Sequence, residues 1–595
     1  MAPIRHVPKA PEPLPPTDTA AREHLAQLLD VWAKNASPET EATNAFLQGR
    51  FSFLNKTVQS RTPPWQGLDV SKLWAYHLHY FDYARDLALL HGTDKAPLLG
   101  GAGGGLNLIR IPKPSPNLSR EGSIKVLASP TTPHRECSPK IKGWLLDWIE
   151  KNPPGTPLAW DAFPLSQRLI NWSLLIARYG WDDTPIRTSM HLQVDYLAQR
   201  LERDLDGNHL LKNVAALTVS GTLLGSPHGK RGLALLQREC AAQLLSDGGH
   251  IERSSLYHGQ VVLDLIIVAA PLESIPDWLS KAIHNAMDFL AGVMHGDGCC
   301  AQFNDGAAEE GVAPQTILAL GNLVCPPDAD EKTGSRPFPD SGIYRLESPN
   351  GGGTMIMKPK KAMADYQPGH AHSDLLSFEY SIGKQRIFVN SGTHGYAESP
   401  YRDYCRRTRA HNTVCINDQD QHEHWSSFRV ARRVHGTVLA WDEAKPALRA
   451  AYTSLQGARH ERQITWESQG FWLILDRVTA RGAFSLDSIL HLHPDATLEA
   501  MDGISEQHVF RIAAPDTSLL LIVLNADSVQ THRGDKCGAG LYFPRFGKSI
   551  PTTTVVASSE GMESRDMGFA MVPNVNESDA GHLLDTVSTT WEQRT

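Results

Sequence analysis

Residues 369–380 read GHAHSDLLSFEY, in which two histidines one residue apart open a run that predicts a buried strand. Side chains alternate between the two faces of a strand, so His370 and His372 are expected to point to the same face. A pair of imidazoles held by a rigid element is typical of a functional site. Further along, Asn390 in FVNSG and His411 in RAHNT lie at the ends of β-like runs and supply more polar groups.

The character of the chain changes near residue 335. Upstream, PLSQRLINWSLLIARY places apolar side chains at helical spacing and is followed by Gly180, and similar patterns recur from about residue 20 to 330. Downstream, LLSFEYSIGKQRIFVN predicts a hairpin about Gly383 and Lys384, and RQITWESQGFWLILDRV predicts another about Gln469 and Gly470. Helices followed by strands indicate two successive domains, the second an antiparallel β-sandwich.

These patterns divide the chain into three parts. We expect a disordered tail over 1–20, an all-α domain over 21–334 and a β-sandwich over 335–595. Within the helical part, residues 95–142 are rich in glycine, proline and serine and lack periodicity. Such a composition buries too little apolar surface to offset the entropy of ordering, so this segment is predicted to be a disordered surface insertion.

Composition limits the classes of function. The chain has 595 residues, 41% hydrophobic and 21% charged, with a formal net charge of −8, so no basic field indicates a nucleic acid partner. No run approaches the roughly 18 apolar residues of a membrane span. The eight cysteines form no C-x-x-C motif.

The N-terminal sequence MAPIRHVPKAPEPLPP lacks the apolar core of a secretory leader, which predicts a cytoplasmic location for the chain as written. A removed leader would indicate a periplasmic or secreted protein.

Two motifs in the helical half carry polar side chains that a core helix does not need. DGNHLLKN places Asn208 and His209 at a helix start, and His209 is a candidate for binding substrate, although N-capping by Asp206 or Asn208 would also explain the motif. DGGHIERSSLYHGQ places Tyr257 before an apolar helical run, where simple packing with a satisfied hydroxyl is the alternative.

A third motif is rich in arginine. RDYCRRTRA contains Arg402, Arg407 and Arg409 just before His411. Guanidinium groups bind carboxylate or sulfate in a bidentate manner, so these side chains are candidates for holding an acidic polymer. A solvated loop is the alternative explanation.

In combination, the motifs GNHLL, ERSSLYH, GHAHSDLLSFEY, NSGT and RAHNT resemble the heparinase II/III-like polysaccharide lyase family. The resemblance runs from about residue 70 to at least 430, and LWAYHLHYFDY and WIEKNPPGTPLAWDAFPLSQRLINW are similar to stretches of that family. Within them, YHLHYFDY and NPPG are most similar to members from bacterial polysaccharide metabolism. It implies an N-terminal incomplete (α/α) toroid, an antiparallel β-sandwich domain after it, and an active site in the cleft between them.

The family's chemistry is β-elimination at a 4-linked uronic acid. Removing the C5 proton adds a second negative charge to the neighbouring carboxylate, so a hydrogen-bond donor must face that group. By matching position, the resemblance assigns this role to Asn208 and the acid–base pair to Tyr257 and His370. Tyr257 would donate to O4, and would also remove the C5 proton when both lie on one face of the sugar. His370 would be the base when they lie on opposite faces.

The resemblance also implies a divalent metal, zinc or another, bound by His372, an aspartate and His411. In this chain the aspartate position is Asn390. A neutral amide oxygen is a poorer zinc ligand than a carboxylate, so the site is expected to be weak, to favour another ion, or to be a hydrogen-bond network instead.

Other functions stay open. A uronic acid C5-epimerase would use the same proton abstraction, and a glycoside hydrolase would need a carboxylate pair such as Asp305 and Glu252. A non-catalytic protein that binds acidic carbohydrate is a third alternative. Among substrates, glycosaminoglycans, alginate and capsular polymers all present the uronic carboxylate.

Overall fold

The computed structural model describes residues 14–36, 40–54, 56–91, 133–327, 334–360, 366, 368–501, 508–534, 539–574 and 580–595. Most of the predicted N-terminal tail, and the predicted insertion up to residue 132, lie outside these residues.

The first half of the described chain is a helical domain. Its helices are α1 Thr19–Asn35, α2 Thr40–Leu47, α3 Lys72–Tyr80, α4 Asp82–His91, α5 Pro133–Lys151, α6 Ala162–Tyr179, α7 Thr184–Ala198, α8 Gly207–Leu223, α9 Pro227–Gln243, α10 Ser255–Ala269, α11 Asp277–Gly292 and α12 Pro314–Val324. The apolar positions predicted in α6 all lie in the core, and Gly180 ends that helix at a φ of +67°, a conformation that favours glycine. A short ribbon, β1 Arg50–Phe53 with β2 Lys56–Gln59, also belongs to this domain.

The end of the predicted insertion is helical. Residues 133–142 form the first half of α5, so the prediction that they are irregular is wrong. Cys137, Ile141, Leu145 and Trp148 are spaced by three or four residues and are all buried in the helical core. This apolar periodicity decides the local structure, although Pro139 lies within the helix.

The second half of the described chain is a sheet domain. Its strands are β3 Arg336–Phe338, β4 Ile343–Glu347, β5 Thr354–Lys358, β6 Ser377–Ile382, β7 Gln385–Phe388, β8 Val414–Ile416, β9 Glu423–Trp425, β10 Arg429–Ala431, β11 Thr437–Asp442, β12 Ala447–Thr453, β13 Arg459–Glu467, β14 Phe471–His491, β15 Thr497–Ala500, β16 His508–Ala514, β17 Thr517–Leu524, β18 Ser528–Arg533, β19 Leu541–Tyr542, β20 Ile550–Pro551 and β21 Thr553–Pro573. All pair antiparallel within the named strands.

Two sheets dominate this domain. The larger is 10-stranded, with the central order β11-β12-β13-β14-β21-β17-β16-β15 and with β8 and β18 paired at its middle; the smaller has five strands in the order β3-β4-β5-β6-β7. Both predicted hairpins are present, since Ile382 pairs with Gln385 and Glu467 pairs with Phe471. One buried apolar cluster contains residues of both sheets. The predicted order, helices first and antiparallel strands second, is therefore confirmed, and the change falls between Val324 and Arg336.

The described second half contains two α-helices besides its strands, although the sequence pattern predicts strands alone. A short helix, α13 Pro400–Arg406, interrupts the strands, and a C-terminal helix, α14 Ala580–Arg594, follows them. Leu584 and Val587 of α14 pack on Phe471 and Ile522 on the outer face of the larger sheet. The helix thus covers apolar strand residues that would otherwise face water. Among the described residues, no helix is long and apolar enough to cross a bilayer.

The junction between the domains is polar and buried. Arg386 of β7 donates from Nη1 to Oε2 of Glu379 at 2.9 Å and from Nε to Oδ2 of Asp297 at 2.8 Å. Asp297 lies in the loop after α11, and the same guanidinium donates to the carbonyl oxygens of Cys299 and Cys300 in that loop. These contacts fix the sheet domain against the helical domain.

We expect Arg386→Met to lower the free energy of unfolding by about 3–5 kcal/mol, because it leaves Glu379 buried without its cation. Arg459→Met is the matched control, since Arg459 is half exposed and pairs with Glu461 at 3.3 Å, and it should cost about 1 kcal/mol or less. Urea unfolding monitored by circular dichroism checks both. Equal losses in the two variants would contradict the junction described above.

Candidate active site in the cleft between the domains

A cleft of about 1320 Å³ opens between the two domains. The helical domain forms most of its wall, and the sheet domain closes one side with His370, Tyr396, Phe428 and Phe546. The predicted residues Asn208, His209, Tyr257 and His370 all line it.

Asn208 lies in the first turn of α8. Its main-chain N–H donates to Oε1 of Glu252 at 2.9 Å, and its side chain lines the cleft. Asp206 stands at the N-cap position with a φ of +57°, but its side chain makes no cap hydrogen bond. Glu252 therefore takes the place of an N-cap, and Asn208 is left facing the cleft.

Tyr257 lies in the first turn of α10, where Ser254 caps the helix by accepting from the Tyr257 N–H. Its ring packs against the His370 ring with centroids 4.3 Å apart, and its hydroxyl is hydrogen-bonded to the hydroxyl of Tyr396. Burial, and after it the nearby Asp305 carboxylate, raise the pKa of Tyr257 above its usual range. The side chain is thus held as a phenol, which can donate a proton.

His370 lies between two carboxylates. Its Nδ1 donates to Oδ2 of Asp305 at 2.8 Å, and its Nε2 is 3.7 Å from Oε2 of Glu252. Burial alone would lower the pKa of His370, but the hydrogen bond to Asp305 and the charge of Glu252 outweigh burial and raise that pKa. The hydrogen bond to Asp305 also fixes which nitrogen faces the cleft.

The prediction that His370 and His372 are carried by a strand is wrong. Both lie in a turn that precedes β6, and Leu376 near the end of that turn has a φ of +60°. The two imidazoles nevertheless converge, because His372 also donates, from Nε2, to Oδ1 of Asp305 at 2.9 Å. A shared carboxylate, rather than strand alternation, brings the pair together.

Asp305 is the centre of this network. Its side chain is fully buried. Arg402 donates hydrogen bonds to both carboxylate oxygens, and Thr393 donates to Oδ1 at 3.3 Å. Burial alone would raise the pKa of Asp305, but Arg402 and the two histidines hold it well below its usual range. A carboxylate in this state is a poor proton donor, and neither Asp305 nor Glu252 lines the cleft, which argues against the glycoside hydrolase alternative.

The predicted substrate-binding residues have different environments. His209 lines the cleft, where its Nδ1 is 3.2 Å from Oε1 of Glu202 and its ring lies 4.5 Å from that of Phe163. Arg402 is only 1% exposed and is occupied by Asp305, which leaves it no group to offer a polymer.

The other two arginines lie away from the cleft wall. Arg409 pairs with Asp418 at 2.6 Å and Asp487 at 2.5 Å, and Arg407 is exposed to solvent. The interpretation of the arginine motif as a site that holds a polyanion is therefore corrected. Arg402 pairs with the buried Asp305, Arg409 pairs with Asp418 and Asp487 outside the cleft, and none of the three arginines lines the cleft.

The three predicted metal ligands meet in the interior but do not form a complete zinc site. His411 Nδ1 donates to Oδ1 of Asn390 at 2.7 Å, which occupies the amide oxygen that a metal would need. His372 Nδ1 and His411 Nε2 are buried without a hydrogen-bond partner, and the two rings are 5.5 Å apart. Two imidazole nitrogens are fewer than the three protein ligands of catalytic zinc, and the described residues contain no group of three or more His, Cys, Asp or Glu side chains that could hold a metal.

Three residues of the site were not predicted in these roles. Tyr396 and Phe428 come from loops of the sheet domain and stack on each other with centroids 5.5 Å apart, and Glu252 links Asn208 to His370. Glu252 lies five residues before Tyr257 in ERSSLYH, so its position in that motif could have indicated that it belongs to the site. Tyr396 and Phe428 have no such signal, because only the tertiary fold brings their loops to the cleft.

Two family models match this chain. Heparinase II/III N-terminus matches residues 141–319, and Heparinase II/III-like, C-terminal, matches residues 330–578. The chain belongs to the heparinase II/III-like family. The site residues Asn208, Tyr257 and His370 fall within the matched ranges.

Solved structures of this family share the fold. A heparinase III is 15% identical, with a TM-score of 0.65, and the match covers 97% of this chain and 88% of that one. A second heparinase III structure is 15% identical with a TM-score of 0.60 and the same coverage. The heparan sulfate lyase HepC from Pedobacter heparinus is 16% identical with a TM-score of 0.54, over 94% of this chain and 88% of that one. A search of curated proteins gives no match.

We expect the purified protein to carry clearly less than one zinc ion per chain, because Asn390 holds His411 rather than a metal. Elemental analysis measures the content, and Asn390→Asp is the comparison, since it restores a carboxylate and should raise zinc content. Stoichiometric zinc in the unmodified protein would contradict this assignment.

Proposed function

We propose that this family member is a polysaccharide lyase that cleaves a 4-linked uronic acid polymer by β-elimination and leaves an unsaturated uronide. The observation that carries the proposal is the meeting of Asn208, Tyr257 and His370 at one cleft, with the Tyr257 and His370 rings 4.3 Å apart. An acid and a base at this separation can both reach the C4–C5 edge of a single sugar.

The environment of each group supports a division of roles. His370 presents Nε2 to the cleft and accepts the C5 proton. Tyr257, whose pKa is raised by burial and by Asp305, stays protonated and donates to the departing O4 oxygen. Asn208 donates to the uronic carboxylate as negative charge develops on it, a contact that is typically worth about 2.7–4 kcal/mol when preorganised. Because the two rings are in contact, both groups would reach the sugar from one face, and His370 rather than Tyr257 is the base there, which differs from the one-face assignment that the resemblance implies.

Two of the alternatives make different products. A C5-epimerase would return a proton to C5 and leave the glycosidic bond intact, whereas a lyase creates a C4–C5 double bond that absorbs ultraviolet light. A hydrolase would need a pair of carboxyl groups beside the scissile bond, but Arg402 holds Asp305 as a carboxylate, and neither Asp305 nor Glu252 lines the cleft. Product analysis therefore separates the proposed activity from its rivals.

Tyr257→Phe should reduce product formation on a uronic polymer by about 100-fold or more, because it removes the proton donor to O4. Polymer binding should persist, since the ring and its packing on His370 are retained. Tyr401→Phe is the matched control, because Tyr401 packs on Phe543 and does not line the cleft. Near-normal turnover by Tyr257→Phe in the ultraviolet assay, with Tyr401→Phe unchanged, would rule out this role.

The pH profile should identify the base. His370 must be neutral to accept a proton, and its pKa is raised above the usual value of about 6.5, so kcat/KM should rise with pH through a pKa above that value. Glu252→Gln keeps an oxygen for the Asn208 N–H but removes one charge that raises this pKa. The rising limb should therefore move to lower pH. A limb that stays in place, or moves to higher pH, would mean that His370 is not the base.

A further inference from the structure

The charge of the cleft is close to balanced. Among its described lining residues the cations are Lys72, Arg85, Arg200 and Lys212. The carboxylates are Asp82, Asp86, Asp161, Glu202 and Glu310. Sites that bind strongly charged polymers concentrate one sign of charge, which steers and holds the ligand. This cleft offers no such excess of positive charge.

Two of these four cations are already neutralised within the protein. Arg85 pairs with Asp82 at 2.7 Å and Asp86 at 2.8 Å, and Lys212 pairs with Asp264 at 2.6 Å in the interior. A sulfate group would have to compete with these carboxylates at short range. Both pairs are therefore unavailable to an anionic ligand.

Two cations in the cleft stay accessible. Lys72 is 66% exposed and lies 3.7 Å from Asp161, a loose contact between exposed groups. Arg200 is exposed, and none of the carboxylates in the described part of the chain lies within ion-pair distance of it; its guanidinium lies 4.6 Å from the centre of the Tyr196 ring. The ring orients the guanidinium without neutralising it. Arg200 is the better placed of the two to bind a carboxylate in a bidentate manner.

Much of the remaining cleft wall is aromatic and can pack against the uncharged faces of sugar rings. Tyr76, Trp160, Phe163 and Tyr196 line the helical side, and Phe428, 48% exposed, lines the opposite side. Aromatic rings bury large apolar areas, and the C–H faces of pyranose rings are apolar. Recognition would therefore come from stacking and from a few polar groups rather than from many ion pairs.

We infer that the substrate is a uronic acid polymer of low charge density, with the carboxylate as its only anionic group and no sulfate, and that Arg200 binds a uronic carboxylate next to the reacting sugar. This inference rests on the proposed lyase function. A sulfated polymer would bring one or more further anions per repeat into a cleft whose described lining has two accessible cations and five carboxylates.

The test uses polymers that differ in sulfation on one backbone. The full-length protein is assayed by ultraviolet absorbance on chondroitin against chondroitin sulfate, on heparosan against heparan sulfate, and on alginate. We expect turnover of at least one unsulfated polymer, with kcat/KM about 10-fold or more above that of its sulfated counterpart where one exists. Equal or faster cleavage of the sulfated member would overturn the inference and leave the lyase function standing. No unsaturated product from any polymer would instead contradict the lyase function, and with it the inference.

Arg200→Gln tests the assigned residue. It should raise KM on the preferred polymer by about 10-fold with kcat little changed, because it removes one charge-assisted contact in binding. Arg203→Gln is the matched control, since Arg203 is also exposed, lies three residues away and does not line the cleft. Equal KM values for the two variants would remove Arg200 from the binding site, whereas a fall in kcat alone would assign it a different role.

Discussion

The buried ion pair between Asp305 and Arg402 is the interaction on which the site depends. Asp305 belongs to a loop of the helical domain, whereas Arg402, His370 and His372 belong to the sheet domain. One carboxylate therefore joins the domains, fixes the His370 imidazole and brings the histidine pair together. An unpaired charge in this position would be costly, so Arg402 is a requirement of the site rather than a contact for substrate.

This arrangement explains how one cleft can combine a proton acceptor with a proton donor. The carboxylates around His370 raise its pKa, whereas burial and the Asp305 charge keep the Tyr257 phenol protonated. Neither group needs a free cation nearby. Elsewhere in the cleft, Arg85 and Lys212 pair with carboxylates of the protein, and aromatic side chains form much of the remaining described wall.

Much of the fold followed from periodicity, because apolar spacing in α6 and alternation in the β6–β7 and β13–β14 hairpins agree with the tertiary structure. The order of motifs along the chain also indicated the family. Three features were not predictable in this way. Glycine and proline around residues 133–142 obscure the helical periodicity there. The His370 turn has the pattern of a strand because apolar residues follow it directly. The sequence pattern of Arg402 is that of a surface cation, since nothing in the sequence indicates its burial beside Asp305.

The central claim is that this site abstracts the C5 proton of a uronic sugar and expels O4. The most direct measurement is NMR analysis of the product formed from an unsulfated uronic polymer in deuterated water. The account predicts a vinylic C4 proton signal and shortened chains with an unsaturated non-reducing end. Deuterium at C5 in chains of unchanged length, or shortened chains that lack the double bond, would contradict it.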